Sequence, residues 1–82
     1  MNLNFREVSV DGLPKDDLHS VLVVFPFGTA DTNFSVEHQA FNCLGTSDPE
    51  TIAHRKIVWK PVQYWIPFDE FTAALSEAKH DG

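Results

Sequence analysis

Between Leu3 and Val10 apolar and polar residues mix around β-branched Val8 and Val10, and the run stops at the turn dipeptide Asp11-Gly12, which predicts a short strand. Leu13-Pro14-Lys15-Asp16-Asp17 reads as a polar loop stiffened by its proline. From His19 to Phe25 the pattern changes. Val21-Leu22-Val23-Val24-Phe25 is continuously apolar and mostly β-branched, as in a strand covered on both faces, and predicts the centre of a sheet. Gly28-Thr29-Ala30-Asp31-Thr32-Asn33 is rich in turn residues. Phe34, Val36, His38 and Ala40 then alternate with Ser35, Glu37 and Gln39, a period of two that predicts a third strand. The connection is short and lacks a crossover helix, so these two strands are expected to pair antiparallel.

Gly45 to Arg55 reads as a longer loop with room for one helical turn around Asp48-Pro49-Glu50. Lys56 to Ile66 reads as a fourth strand whose parity changes: Ile57 and Trp59 are odd, Val62, Tyr64 and Ile66 even. Pro61 lies between the two sets and cannot donate to a ladder, which predicts a bulge there or an edge position. Phe71, Ala74, Leu75 and Ala78 follow helical spacing, with Glu70, Glu77 and Lys79 off that stripe. Asp69 in the opening turn, Lys79 near the end and Pro67 at the entry suit a helix that packs its Phe71–Leu75 face on the sheet. The predicted architecture is a single α+β domain over residues 1–82, an antiparallel three- to four-stranded sheet with a C-terminal amphipathic helix on one face.

Composition sharpens the functional expectation. Twelve acids against six bases give a net charge of −6, which opposes binding to phosphate backbones or anionic lipid. Residues 1–50 hold eight acids and two bases, residues 51–82 four of each, so the excess sits in the first part. One cysteine, Cys43, allows no internal disulfide and reads as a small buried hydrophobe. No signal segment or membrane-length apolar run is seen, so a soluble, cytoplasmic protein is expected.

Candidate chemistry is sparse. His19, His38, His54 and His80 with Cys43 show no recognised metal-ligand spacing, and no metal or cofactor is expected. No serine lies in a Gly-x-Ser-x-Gly turn, there is no Gly-rich phosphate loop, and the acid pairs Asp16-Asp17 and Asp69-Glu70 read as solvated, so no catalytic residue is assigned. The basic stretch His54-Arg55-Lys56-Ile57-Val58-Trp59-Lys60, followed by Tyr64 and Trp65, could stack single-stranded nucleic acid, but lysines also guard a strand edge. With the whole chain at −6, edge protection is the favoured reading. Trp65 has the opposite parity to Tyr64 and Ile66, so one of these aromatics faces away from the main core, under the helix or toward solvent.

Phe5 and Val8, then Leu13-Pro14, then Val21-Leu22-Val23, then Val62-Gln63-Tyr64-Trp65-Ile66-Pro67 resemble, in order and over most of the chain, a small phage and prophage domain family of unknown function, DUF551-like. That family reads roughly W-x-x-V, L-P, V-L-V and V-x-H-W-M-P-L-P. Phe5 stands in place of its Trp, Tyr64 in place of its His, and Phe68-Asp69 opens a helix where the family tends to finish. The resemblance implies a phage or prophage origin and a small sheet-based domain, and it carries no activity.

The leading expectation is a non-catalytic protein-interaction module, a phage or prophage accessory that binds a host protein. Asp11, Asp16, Asp17 and Asp31 would supply an acidic face, and Trp59, Tyr64 and Trp65 would supply aromatic contact area. A sharper version inhibits a nucleic-acid enzyme by presenting those four aspartates as one face in place of phosphates. The rivals are a ligand-binding or enzymatic domain with a pocket between helix and sheet near His38, Tyr64 and Trp65, and a homodimer paired through an edge strand at Lys56 to Ile66.

Overall fold

A computed structural model describes residues 3–81, with side chains described as far as residue 77. Two of the expectations above, the end of the helical stripe at Ala78 and the dipole partner Lys79, lie outside the described side chains, as does His80.

The apolar run forms β2 (Leu18–Phe25), and it pairs antiparallel with β3 (Gly28–Ser35). The expected hairpin is present, but its turn is Pro26-Phe27, because Phe25 already pairs with Gly28. Gly28 to Asn33, expected as a connection, is the body of the strand, and Val36 to Gln39, expected as strand, is the turn that follows. Near its start β2 carries an extra residue: Leu18 pairs with Phe34 and Val21 with Thr32, so His19 and Ser20 together stand opposite Asn33.

Among the described residues five strands, not three or four, make the sheet, in the order β1-β5-β2-β3-β4. β1 (Arg6–Glu7) and β4 (Ala40–Phe41) are two-residue edges, and β5 (Tyr64–Pro67) lies between β1 and β2. The predicted first strand therefore shortens. Val8–Asp11 turns instead into a single helical turn, α1, closed by Gly12 at φ 81°, a left-handed conformation that favours glycine.

Register decides the core. Trp65 pairs with Val23 and Ile66 with Leu22, so their side chains leave opposite faces. On one face Val21, Val23, Phe25, Phe34, Phe41, Val62 and Trp65 form the buried cluster, with Leu13, Leu18 and Trp59 packed against it. Ile66 is buried on the other face, and α3 (Phe68–Asp81), which contacts β2 and β5, buries Ala74. The expected amphipathic helix is thus present. Phe71 is half-buried and Leu75 is 37% exposed, so its stripe is only partly covered.

The largest departure is at residues 45–66. Pro49–Val58 is a ten-residue helix, α2, and the fourth strand begins only at Tyr64. The parity change at Pro61 thus reflects a helix followed by a strand, with neither a bulge nor an edge there. α2 starts on the N-cap Asp48, whose carboxylate accepts from Thr51 N at 3.1 Å and Thr51 Oγ1 at 2.6 Å, with Pro49 in its first turn. None of its residues is buried. It is held instead by Arg55, which donates to Asn42 O at 2.7 Å and Thr46 Oγ1 at 3.1 Å, and by Trp59 at its C-terminus.

Candidate functional site

The outer edge of β3 follows from the hairpin. Phe25 and Gly28 flank a two-residue turn and face each other with their backbone groups, so the pairs 23/30 and 21/32 do the same and the residues between them point their N–H and C=O the other way. On β3 the outward residues are Thr29, Asp31 and Asn33. At Asn33 a partner is present: its carbonyl accepts Asn42 N at 2.7 Å, and its Oδ1 accepts Leu44 N at 2.9 Å. β4 pairs only with Phe34 and Ser35. Among the described residues no strand pairs with Thr29 or Asp31 on this side, so their N–H and C=O lie along an open edge, and both residues are exposed. At the hairpin turn beside them Phe27 is 80% exposed, its ring stacked 5.0 Å from buried Phe25, which in turn lies 5.4 Å from Trp59. Phe27 is thus an exposed aromatic stacked on a buried one.

A second feature is a cleft of about 350 Å³ between α2, the turn into β4 and α1. Its apolar lining includes Leu13, Phe41, Trp59 and Val62, and its polar positions are His38, Gln39, Lys56 and Lys60. His38 Nε2 lies 3.0 Å from Thr46 O and 3.8 Å from Glu37 Oε2, so this nitrogen carries a proton and donates to the carbonyl. Gln39 sits at φ 50°, uncommon for a residue with a side chain, and its amide Nε2 donates to Val36 O at 2.8 Å within the same turn. Cys43, two residues after Phe41, is wholly buried. Burial pushes its thiol above the ordinary value, with Arg55 and Lys56 opposing.

The four aspartates expected on one face are not brought together. Asp11 and Asp16 line a cleft that also contains Arg6 and Lys15. Asp17 accepts Val36 N at 2.8 Å at the start of β2, and Asp11 accepts Glu7 N at 3.0 Å, so both hold local backbone. Asp31, paired with Leu22, lies about 13 Å along the strand from Asp17 and on the face opposite the main core. The inhibitor version built on a single acidic face loses its geometry.

The aromatics divide similarly. Trp65 is buried, its Nε1–H donates to Gly12 O at 3.0 Å, and the Arg6 guanidinium lies 5.3 Å from its ring centroid, so it is a structural residue. Trp59 is half-buried against Phe25, and Tyr64 is exposed. A hydrogen bond to Glu7, and then Glu7's negative charge, hold the Tyr64 phenol above its ordinary value. His38, Tyr64 and Trp65 line three different clefts, so the expected shared pocket does not form. The edge strand expected at Lys56 to Ile66 is likewise overturned: Lys56 is helical and β5 is interior. Arg55 is tied to Asn42 and Thr46 rather than free to join Lys56 and Lys60 on a basic strand edge.

Phe27 and the β3 edge were not singled out in the sequence. Pro26 followed by Phe27-Gly28 was the available signal, since proline presets a turn and glycine commonly follows one. Among the described residues no helix is long and apolar enough to cross a membrane. No protein family, curated protein or solved structure matches the chain, so the functional reading rests on the geometry alone.

Proposed function

We propose that the protein is a non-catalytic interaction module that docks a protein partner on the outer edge of β3, taking from it a basic, extended segment as an added strand. The observation that carries this reading is the open edge at Thr29–Asp31. Unpaired strand groups are a template for another strand, and main-chain hydrogen bonds then supply affinity while alternate side chains supply specificity. Asp31 on the edge and the chain's charge of −6 favour a partner strand carrying Lys or Arg. Phe27, exposed at the end of the same edge and stacked on Phe25, offers an aromatic anchor. A second copy of the chain fits less well, since it brings another acidic molecule to the acidic edge. In the setting implied by the phage and prophage resemblance, the partner is a host or phage protein.

Hydrogen exchange tests the reading in the presence of the blocked peptide Ac-Lys-Val-Lys-Val-Lys-amide and its glutamate counterpart. The lysine peptide should slow exchange at Thr29 and Asp31, and the glutamate peptide should not. Asp31→Pro removes an outward N–H and the charge while sparing the internal ladder, so the protein should stay folded and lose the peptide. Ala30→Pro removes an inward N–H and should damage the fold instead. Peptide binding that leaves Thr29 and Asp31 exchanging as in the free protein would sink the proposal.

A further inference from the structure

The cleft under α2 is independent of the β3 edge and has a different character. Its walls come from separate elements: Phe41 from β4, Trp59 from the end of α2, Val62 from the link to β5, and Leu13 from the loop after α1. Its volume of about 350 Å³ falls at the lower end of the range that holds small organic ligands. The charged residues of its lining are both basic, with Glu37 just outside it, 3.8 Å from His38 Nε2. Lys56 and Lys60 line it and no aspartate or glutamate does, although acids outnumber bases twelve to six in the whole chain. Both lysines are exposed, whereas Arg55, just before Lys56 in sequence, is tied into the fold through Asn42 and Thr46. The two cations at the mouth are therefore not needed to hold α2 in place.

We infer that this cleft binds a small monocarboxylate with an apolar body, the body lying on Trp59, Phe41 and Val62 and the carboxylate meeting Lys56 and Lys60. An aromatic and aliphatic floor rewards burial of a hydrocarbon or ring, and paired ammonium groups at the rim orient the anionic end outward.

Octanoate and octyltrimethylammonium, which share a chain and differ in charge, provide the test by titration into ¹⁵N-labelled protein. The two indole N–H signals separate the cleft from the core, because Trp59 lines the cleft and Trp65 is held by Gly12. Octanoate should shift the Trp59 indole and the Val62 amide saturably while leaving the Trp65 indole in place. It should also bind at least about fivefold more tightly than the cationic amphiphile, as expected for exposed ion pairs. The double variant Lys56→Gln, Lys60→Gln should keep its thermal midpoint and lose that preference, and Asp31→Pro should bind octanoate unchanged. Equal binding of the two amphiphiles, or no shift of Trp59 with octanoate, would overturn the assignment. So would tighter binding at the same signals by the acidic peptide Ac-Glu-Leu-Glu-amide, which would assign the cleft to a protein segment instead.

Discussion

Replacing Trp65 with phenylalanine separates a structural tryptophan from an interface anchor. Trp65 is 8% exposed, donates its indole N–H to Gly12 O at 3.0 Å and lies under the Arg6 guanidinium at 5.3 Å. Phenylalanine keeps an aromatic ring beside Val23 but leaves the half-buried Gly12 carbonyl without its donor, at about 1–2 kcal/mol. Weakening the cation–π contact adds about 0.5 kcal/mol, and the space vacated by the smaller ring about 1 kcal/mol. The total of about 3 kcal/mol is a large share of the roughly 4–12 kcal/mol expected for a chain of this length. In urea, with a slope of about 1–1.5 kcal/mol per molar, the midpoint should fall by about 2–3 M with the slope unchanged. Combining Trp65→Phe with Arg6→Ala should show a coupling of about 0.5 kcal/mol, because either change alone already removes the guanidinium–indole contact. A midpoint shift below about 0.5 M would refute the assignment, since a buried, bonded indole cannot be removed so cheaply.

Asp48→Ala should lower the thermal midpoint by a few degrees at neutral pH, because the carboxylate caps α2. The Thr51 hydroxyl and then the Thr51 amide hold that carboxyl below the usual carboxylate range, so its contribution is present above about pH 4 and is lost as pH falls through the depressed value. The difference between wild type and variant, followed by circular dichroism, should accordingly shrink in acid. Tyr64 is the single tyrosine, so tyrosinate absorbance reports it alone. It should ionise above the usual value of about 10, and Glu7→Gln should bring it back down. Its contribution to stability is full below the unfolded value and disappears as pH rises through the folded one. Arg55→Gln should free residues 42–46 from α2 and speed labelling of Cys43, whose sulfur is wholly buried and whose thiol is held protonated mainly by that burial. Unchanged labelling would mean that Arg55 does not gate the cysteine.

Those parts of the fold that depend on a strong local signal were readable in the sequence. Val21 to Phe25 could only be a covered strand, and the Phe71, Ala74, Leu75 spacing could only be an amphipathic helix. β3 was misread for a physical reason: with one edge open and one face half-covered it needs few apolar residues, so Gly28-Thr29-Ala30-Asp31-Thr32-Asn33 has the composition of a loop although β2 holds it in register. α2 was misread because it buries none of its residues and so shows no apolar stripe. Its start was nevertheless written in Asp48-Pro49-Glu50, an N-cap, a proline in the first turn and an acid near the dipole's positive end. Weighing that signal above the strand-like alternation of Ile57 and Trp59 would have recovered the helix.

The candidate site was less legible because a charge count does not say where charges are occupied. Asp11, Asp17 and Asp69 accept backbone N–H groups, Asp48 caps α2, and Glu70 forms a two-pronged pair with Arg6 at 2.9 and 3.0 Å. These acids complete the ends of short elements, where a small domain with two-residue strands has many unsatisfied backbone donors. Asp31 is different. It lies in the middle of a strand, away from any helix end or turn, on the edge whose backbone groups are open. The bases divide the same way: Arg6 and Arg55 fasten elements together, while Lys56 and Lys60 stand at a cleft mouth. With the charges that hold the fold set aside, Asp31 on the β3 edge and Lys56 and Lys60 at the cleft mouth stand at separate places, and the other exposed acids Asp16, Glu37, Glu50 and Glu77 are scattered over different elements. A surface so divided favours two modest, chemically distinct contacts over the single broad acidic face that the total charge suggested.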